Sequence, residues 1–63
     1  MWHWEVVWVG KDGETYLLTS EHGWNTQQEA YTVVTSISEF IVQKLRDLGA
    51  VGVIDFELVY KHK

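Results

Sequence analysis

The chain contains no cysteine, few basic residues and no long apolar run. Without cysteine, a domain of 63 residues has no disulfide to stabilise it. Five Lys and Arg residues against nine Asp and Glu residues give a formal net charge of −4. This balance argues against duplex nucleic acid as a partner, because proteins that bind it carry a basic face.

The sequence also lacks the segments that direct a chain to or through a membrane. No stretch approaches the run of about 18 apolar residues that a membrane-spanning helix needs. The start, MWHWEVV, has no basic region followed by an apolar run, as a signal peptide would. We therefore expect a cytoplasmic protein with no membrane contact.

The length predicts a single domain over residues 1–63, with no internal repeat and no linker. A chain this short buries only about 60% of the surface that its unfolded form exposes. Small domains compensate with a disulfide, a metal, a partner subunit or dense packing. The four Trp, three Tyr and two Phe residues supply large side chains for such packing.

Residues 25–49 form the most strongly patterned stretch, NTQQEAYTVVTSISEFIVQKLRDLG. Thr26 and Glu29 have the spacing of a capping box, in which the Thr hydroxyl accepts from the Glu amide. Asn25 and Gln28 offer the same arrangement one residue earlier, so the start is defined to within one residue. The stretch predicts one long helix.

The apolar positions of this helix recur at helical spacing, and Gly49 follows as a left-handed residue that ends it. They share one stripe: Ala30, Val33, Val34, Ile37, Ile41, Leu45 and Leu48. A neighbouring row, here called the helix margin, widens the stripe: Tyr31, Thr35, Ser38 and Val42. A three-stranded sheet is too narrow to cover both rows, so the helix margin is a candidate interface with a partner or a second copy.

The first strand, Trp2 to Val9, alternates between two faces, and a turn at residues 10–13 follows it. A type I turn with Gly13 left-handed would pair Trp8 with Tyr16. A two-residue turn at Asp12-Gly13 would instead pair Trp8 with Leu17. We favour the first turn, because it collects the aromatic and aliphatic residues on one face.

The third strand, Val51 to Tyr60, alternates in the same way. Ile54, Phe56, Leu58 and Tyr60 are predicted to face the helix, and Val53, Asp55, Glu57 and Val59 to face away. The predicted fold is α+β with the order β-β-α-β. It has a three-stranded antiparallel sheet of order 2-1-3, with one long amphipathic helix packed on one face. The order 1-2-3 would create a parallel pair and is less favoured.

The second face of this sheet has no helix to cover it, and we call it the open sheet face. It combines apolar and acidic candidates for a partner surface: Glu5, Val7, Val9, Leu17, Asp55 and Glu57. Trp2 and Trp24 lie near element ends and are candidates for exposed aromatic contacts. Size and surplus apolar surface together predict a homodimer, joined through the helix margin, the open sheet face or edge strands.

The sequence offers no convincing chemistry. His3 and Glu5 share a strand face, but two ligands do not make a metal site. Ser20 lies near His22 in sequence, yet an extended chain does not set up the hydrogen bond that a nucleophile needs. We therefore expect no enzyme, no metal and no cofactor.

Two functional hypotheses remain. The first is a small acidic protein-interaction module that acts as a homodimer by binding another protein, as accessory proteins or inhibitors of phages and mobile elements do. Its carboxylates would imitate phosphates. The second is a single-stranded nucleic-acid-binding protein that uses sheet aromatics. Its basic residues would be Lys44, Arg46, Lys61 and Lys63.

Overall fold

The computed structural model describes residues 1–62. In chain order it has β1 (Trp2–Gly10), β2 (Thr15–Thr19), α1 (Gln27–Ser36), α2 (Ser38–Asp47) and β3 (Ala50–Tyr60). The sheet has the order β2-β1-β3, and both pairings are antiparallel. The α+β class and the strand order are therefore as predicted. Over the described residues, no helix is long and apolar enough to cross a membrane.

The β1–β2 hairpin has the predicted turn. Gly13 is left-handed, with φ of +80°. The Gly13 amide donates to the Gly10 carbonyl at 3.0 Å, and the Gly10 amide donates to the Glu14 carbonyl at 2.9 Å. Trp8 consequently pairs with Tyr16, and their rings stack with centroids 4.7 Å apart.

The β1–β3 ladder is regular along one half and irregular along the other. It runs without a shift from Trp2 opposite Tyr60 to Val7 opposite Asp55. A register shift then places Val53 opposite Trp8, and a second shift lies between Val9 and Gly10. Strict alternation had assigned Val53 to the open sheet face, and this is wrong, because the extra residue of a bulge reverses the alternation beyond it.

The predicted single long helix is wrong as well, because Ile37 interrupts it with φ of −112° and ψ of 17°. The interruption lies in a run of hydroxyl side chains that bond back to helix carbonyls. The Thr35 hydroxyl donates to the Tyr31 carbonyl at 3.0 Å, and the Ser36 hydroxyl to the Thr32 carbonyl at 3.1 Å. Such bonds bend helices, since they compete for the carbonyls of the ladder.

The predicted helix ends are present. The Thr26 side chain accepts from the Glu29 amide at 3.1 Å, and its hydroxyl also bonds the Glu29 carboxylate. At the other end Gly49 has φ of +92°. The capping signals therefore fix where the helical segment starts and stops, although they do not keep it continuous.

The core lies between β1 and the helices. Its buried hydrophobic residues come mainly from β1 and α2: Trp4, Val6, Trp8, Ala30, Ile41 and Leu45. The accessible surface of 4574 Å² exceeds the roughly 4,200 Å² expected for a 7.4 kDa monomer. The radius of gyration of 12.0 Å likewise exceeds the expected value of about 10.6 Å. The single chain is thus flatter and more exposed than a typical monomer.

Candidate partner-binding surface

Strand β3 lies at an edge of the sheet, and its outward backbone groups can be assigned from its neighbours. Trp2 exchanges both backbone hydrogen bonds with Trp24, so these groups point away from β3. The Lys61 amide donates to the Met1 carbonyl at 2.8 Å, so Lys61 bonds toward β1. The backbone N–H and C=O groups of successive residues on an antiparallel strand point to opposite sides. Since Lys61 bonds toward β1, the residue before it and every second residue further back direct these groups outward. These residues are Phe56, Leu58 and Tyr60.

One outward group already has a local partner. The Phe56 amide donates to the carboxylate of Asp55 at 2.9 Å. This bond confirms that the Phe56 amide points away from β1, and it shields one donor of the free edge. Carboxylates on edge strands reduce uncontrolled pairing in this way.

The side chains of β3 leave a large apolar surface uncovered. All seven residues from Val51 to Glu57 are exposed. Ile54 and Phe56, which were predicted to face the helix, remain 60% and 40% exposed. Phe56 does lie on the helix-covered side, because it pairs with Val6 and its ring stacks on that of Trp4 with centroids 6.3 Å apart.

One residue of the helix margin, Tyr31, lies beside this strand. Tyr31 is 65% exposed and lines a groove together with Gln27, Gln28 and Leu58 of β3. Val42 is exposed as well. The other two members, Thr35 and Ser38, are exposed; the Thr35 hydroxyl donates to the Tyr31 carbonyl, and the Ser38 hydroxyl of α2 donates to the Thr35 carbonyl of α1. Within the helix margin, Tyr31 therefore adjoins β3 at Leu58.

The open sheet face carries its acidic residues close together. Glu5 lies directly opposite Glu57, and Asp55 lies opposite Val7. Lys61 neutralises part of this negative charge. Its Nζ lies 2.8 Å from the Glu5 carboxylate and donates a hydrogen bond to the Thr19 hydroxyl at 2.9 Å. Asp55 and Glu57 are exposed, whereas Glu5 is half-buried.

The apolar residues of the open sheet face differ in exposure. Val7 and Val9 are half-buried, and Leu17 on β2 is 60% exposed. The aromatic candidates Trp2 and Trp24 are both half-buried, because their backbones bridge each other. More exposed aromatic side chains lie on the helices, at Tyr31 and Phe40, and at Tyr60 on β3, whose ring packs edge-on against that of Trp2 with centroids 5.6 Å apart.

Three histidines converge where the sequence analysis had separated them. His3, His22 and His62 line one groove with Met1 and Lys61. Among residues 1–62, however, no group of three or more ligand-type side chains has the geometry to hold a metal ion. The predicted strand order could have indicated this grouping, because it places the start of the chain beside the end of β3.

Ser20 is buried and acts as a structural hub. Its hydroxyl donates to the His22 carbonyl at 2.8 Å and accepts from the Trp4 amide at 3.3 Å. His3 Nδ1 lies 3.2 Å from the same oxygen. Because the hydroxyl proton is directed at a carbonyl, this Ser–His contact stabilises the end of the hairpin and does not activate a nucleophile.

At the other end of the hairpin, the Tyr16 hydroxyl donates to the Asp12 carboxylate. This hydrogen bond, with a second one from the Glu14 amide, lowers the pKa of Asp12. The same bond raises the pKa of Tyr16 above its ordinary value. Both groups are on the surface, so the pair serves to fix the turn.

Nothing in the sequence indicates that the helix-facing side of β3 is exposed. Alternation identifies which face a residue occupies, but it does not reveal how far the helices extend over an edge strand. No protein-family model, curated protein or solved structure matches the chain. The functional conclusion therefore rests on the geometry of this surface.

Proposed function

We propose that this protein is a small acidic protein-interaction module that acts as a homodimer. The free edge of β3 and the adjoining helix margin join the two copies, and the open sheet face binds another protein. The observation that carries the proposal is the outer edge of β3, where Phe56, Leu58 and Tyr60 direct backbone groups away from β1 and the side chains of Phe56 and Tyr60 are exposed. Contiguous apolar surface of this kind marks interaction sites, and a long unprotected edge strand aggregates unless it is paired.

The chemistry of the open sheet face defines the target. Glu5, Asp55 and Glu57 form an acidic row across β1 and β3, and Lys61 is bonded to Glu5. Pairing two sheets side by side would place two copies of Glu5 and Glu57 on one face. Its complement is a basic surface on another protein, so the module would act as an accessory protein or an inhibitor by occupying such a surface.

Sedimentation velocity over a concentration range tests the dimer, and the proposal predicts a mass of two chains at micromolar concentration. Capture from the source cell then tests the target. The wild type should retain a protein whose binding weakens as salt is raised, and Glu57→Gln, which keeps size and shape and lies outside the charge pairs of the dimer, should retain less of it. Equal retention by both proteins would remove the acidic row from the proposal.

The single-stranded nucleic-acid hypothesis has less support. Trp4 and Trp8 are only 5% and 7% exposed, so bases cannot stack on these rings while the core is folded. Lys61 is engaged with Glu5 on the open sheet face. Retention on single-stranded oligonucleotides at low salt, lost with Lys61→Gln, would restore this hypothesis.

A further inference from the structure

We propose that β3 pairs antiparallel with β3 of a second copy about a twofold axis at Leu58, giving one six-stranded sheet. This inference rests on the proposed homodimer and specifies its geometry. The regular half of β3, Asp55 to Tyr60, pairs with β1 without a shift, so its outer edge has the even spacing that another strand requires.

The outward backbone groups restrict the possible registers. Only Phe56, Leu58 and Tyr60 direct N–H and C=O groups to the free edge of this half, so these residues must form the hydrogen-bonded pairs. Along this half a twofold axis can lie at any residue from Phe56 to Tyr60. An axis at Val59 or Tyr60 would pair at most residues 57–61 of the two copies, whereas an axis at Leu58 pairs residues 55–61 and forms more backbone hydrogen bonds. The axes at Phe56, Glu57 and Leu58 therefore remain. Each choice sets different side chains against each other on the open sheet face.

Charge distinguishes these three registers. An axis at Phe56 places Asp55 against the partner's Glu57, twice by symmetry. An axis at Glu57 places the two Glu57 carboxylates directly opposite each other. Like charges in these positions destabilise a sheet. The first two registers therefore carry a repulsion that the third avoids.

An axis at Leu58 places no like charges opposite each other. Asp55 meets the partner's Lys61, and Glu57 meets the partner's Val59. On the helix-covered side, Phe56 meets the partner's Tyr60, and the two Leu58 side chains meet at the axis. Opposite charges and aromatic pairs at these spacings stabilise antiparallel strands.

The remaining contacts agree with this register. Phe56 would exchange its bond to Asp55 for the carbonyl of the partner's Tyr60, which frees the Asp55 carboxylate for the partner's Lys61. Lys61, whose side chain is 39% exposed, would then lie between Glu5 and that carboxylate. Tyr31 lines a groove with Leu58, so the same axis brings the Tyr31 residues of the two copies toward each other.

A charge-exchange experiment tests the register. Asp55→Lys would place a positive charge against the partner's Lys61, and Lys61→Glu would place a negative charge against the partner's Asp55. Because like charges then lie opposite each other, each variant alone should dimerise at least about tenfold more weakly than the wild type. A mixture of the two variants restores both opposite-charge pairs and should form a heterodimer. Glu57→Lys is the control and should leave dimerisation unchanged, because its neighbour is the partner's Val59.

Far-UV circular dichroism establishes that each variant is folded, and sedimentation measures the association. A monomeric wild type would overturn the proposed dimer together with the register. A dimeric wild type whose charge variants associate as strongly as it does would overturn the register alone. A changed association of Glu57→Lys would do the same: stronger association would indicate an axis at Phe56, and weaker association an axis at Val59, where Glu57 meets the partner's Lys61.

Discussion

Strands β1 and β3 have similar alternating patterns of apolar and aromatic residues, yet one is buried and the other is not. On β1, Val6 is 0% exposed, whereas its register partner Phe56 on β3 is 40% exposed. Strand β1 has a neighbour on each side and the helices above it. Strand β3 has one neighbour and incomplete cover. Position in the sheet, and not composition, therefore decides which strand completes the core and which is available to a partner.

Replacing aromatic residues on the two strands should give the largest contrast. Trp4→Ala removes a buried ring and should lower the free energy of unfolding by about 3–5 kcal/mol. Phe56→Ala, on the exposed strand, should cost the dilute monomer far less. Urea denaturation followed by Trp fluorescence measures both. Equal losses would mean that β3 is as much a part of the core as β1.

A charge on β3 should separate the dimer without unfolding the chain. Phe56→Glu places a carboxylate at the proposed interface twice, and we expect the dissociation constant to rise on the order of 100-fold. Leu17→Glu is the matched control, because Leu17 is exposed on the other edge strand. Light scattering should report a weaker dimer only for Phe56→Glu. If Leu17→Glu weakened the dimer as much, the interface would lie on β2 and not on β3.

The two strands also differ in an amide that bonds a side-chain oxygen: the Trp4 amide of β1 bonds Ser20, and the Phe56 amide of β3 bonds Asp55. Ser20→Ala leaves the buried Trp4 amide without its acceptor and should lower the free energy of unfolding by about 1–3 kcal/mol. Asp55→Ala removes the acceptor of the Phe56 amide, which water or another strand can replace, so the monomer should be almost unchanged. Chemical denaturation of both variants checks this difference. A large decrease in the free energy of unfolding of Asp55→Ala would show that the bond from Asp55 to the Phe56 amide stabilises the monomer itself.

The smallest effect concerns the turn that joins β1 to β2. The folded pKa of Asp12 is lowered, so its stabilising contribution is present above the unfolded value of about 3.8 and is lost as pH falls through the folded pKa. Tyr16 has a raised pKa, so its contribution is lost as pH rises above about 10. Tyr16→Phe should flatten both limbs of a denaturation profile against pH. An unchanged profile would exclude the Asp12–Tyr16 bond as their source.

Local signals predicted much of this fold. The capping spacing of Thr26 and Glu29, the left-handed Gly13 and Gly49, and the alternation of β1 all act over a few residues. They are therefore readable from the sequence. The pairing of Trp8 with Tyr16 followed from the turn that they define.

Three features of the fold could not be predicted from the sequence, because each depends on several weak interactions or on residues far apart in the chain. The break at Ile37 arises from several hydroxyl side chains that together bend an otherwise well-patterned helix. The bulge beside Trp8 changes the side of Val53 and has no residue signature of its own. The exposure of Ile54 depends on how far the helices reach across the sheet, which no local pattern encodes.

The central claim is that the outer edge of β3 is paired with a second copy in solution. Residue-resolved amide hydrogen exchange tests it most directly, because the amides of Leu58 and Tyr60 have no strand partner in the single chain. At micromolar concentration the account predicts that these two amides are protected as well as those of β1, and that protection falls on dilution. Fast exchange at both positions, with β1 fully protected, would contradict it.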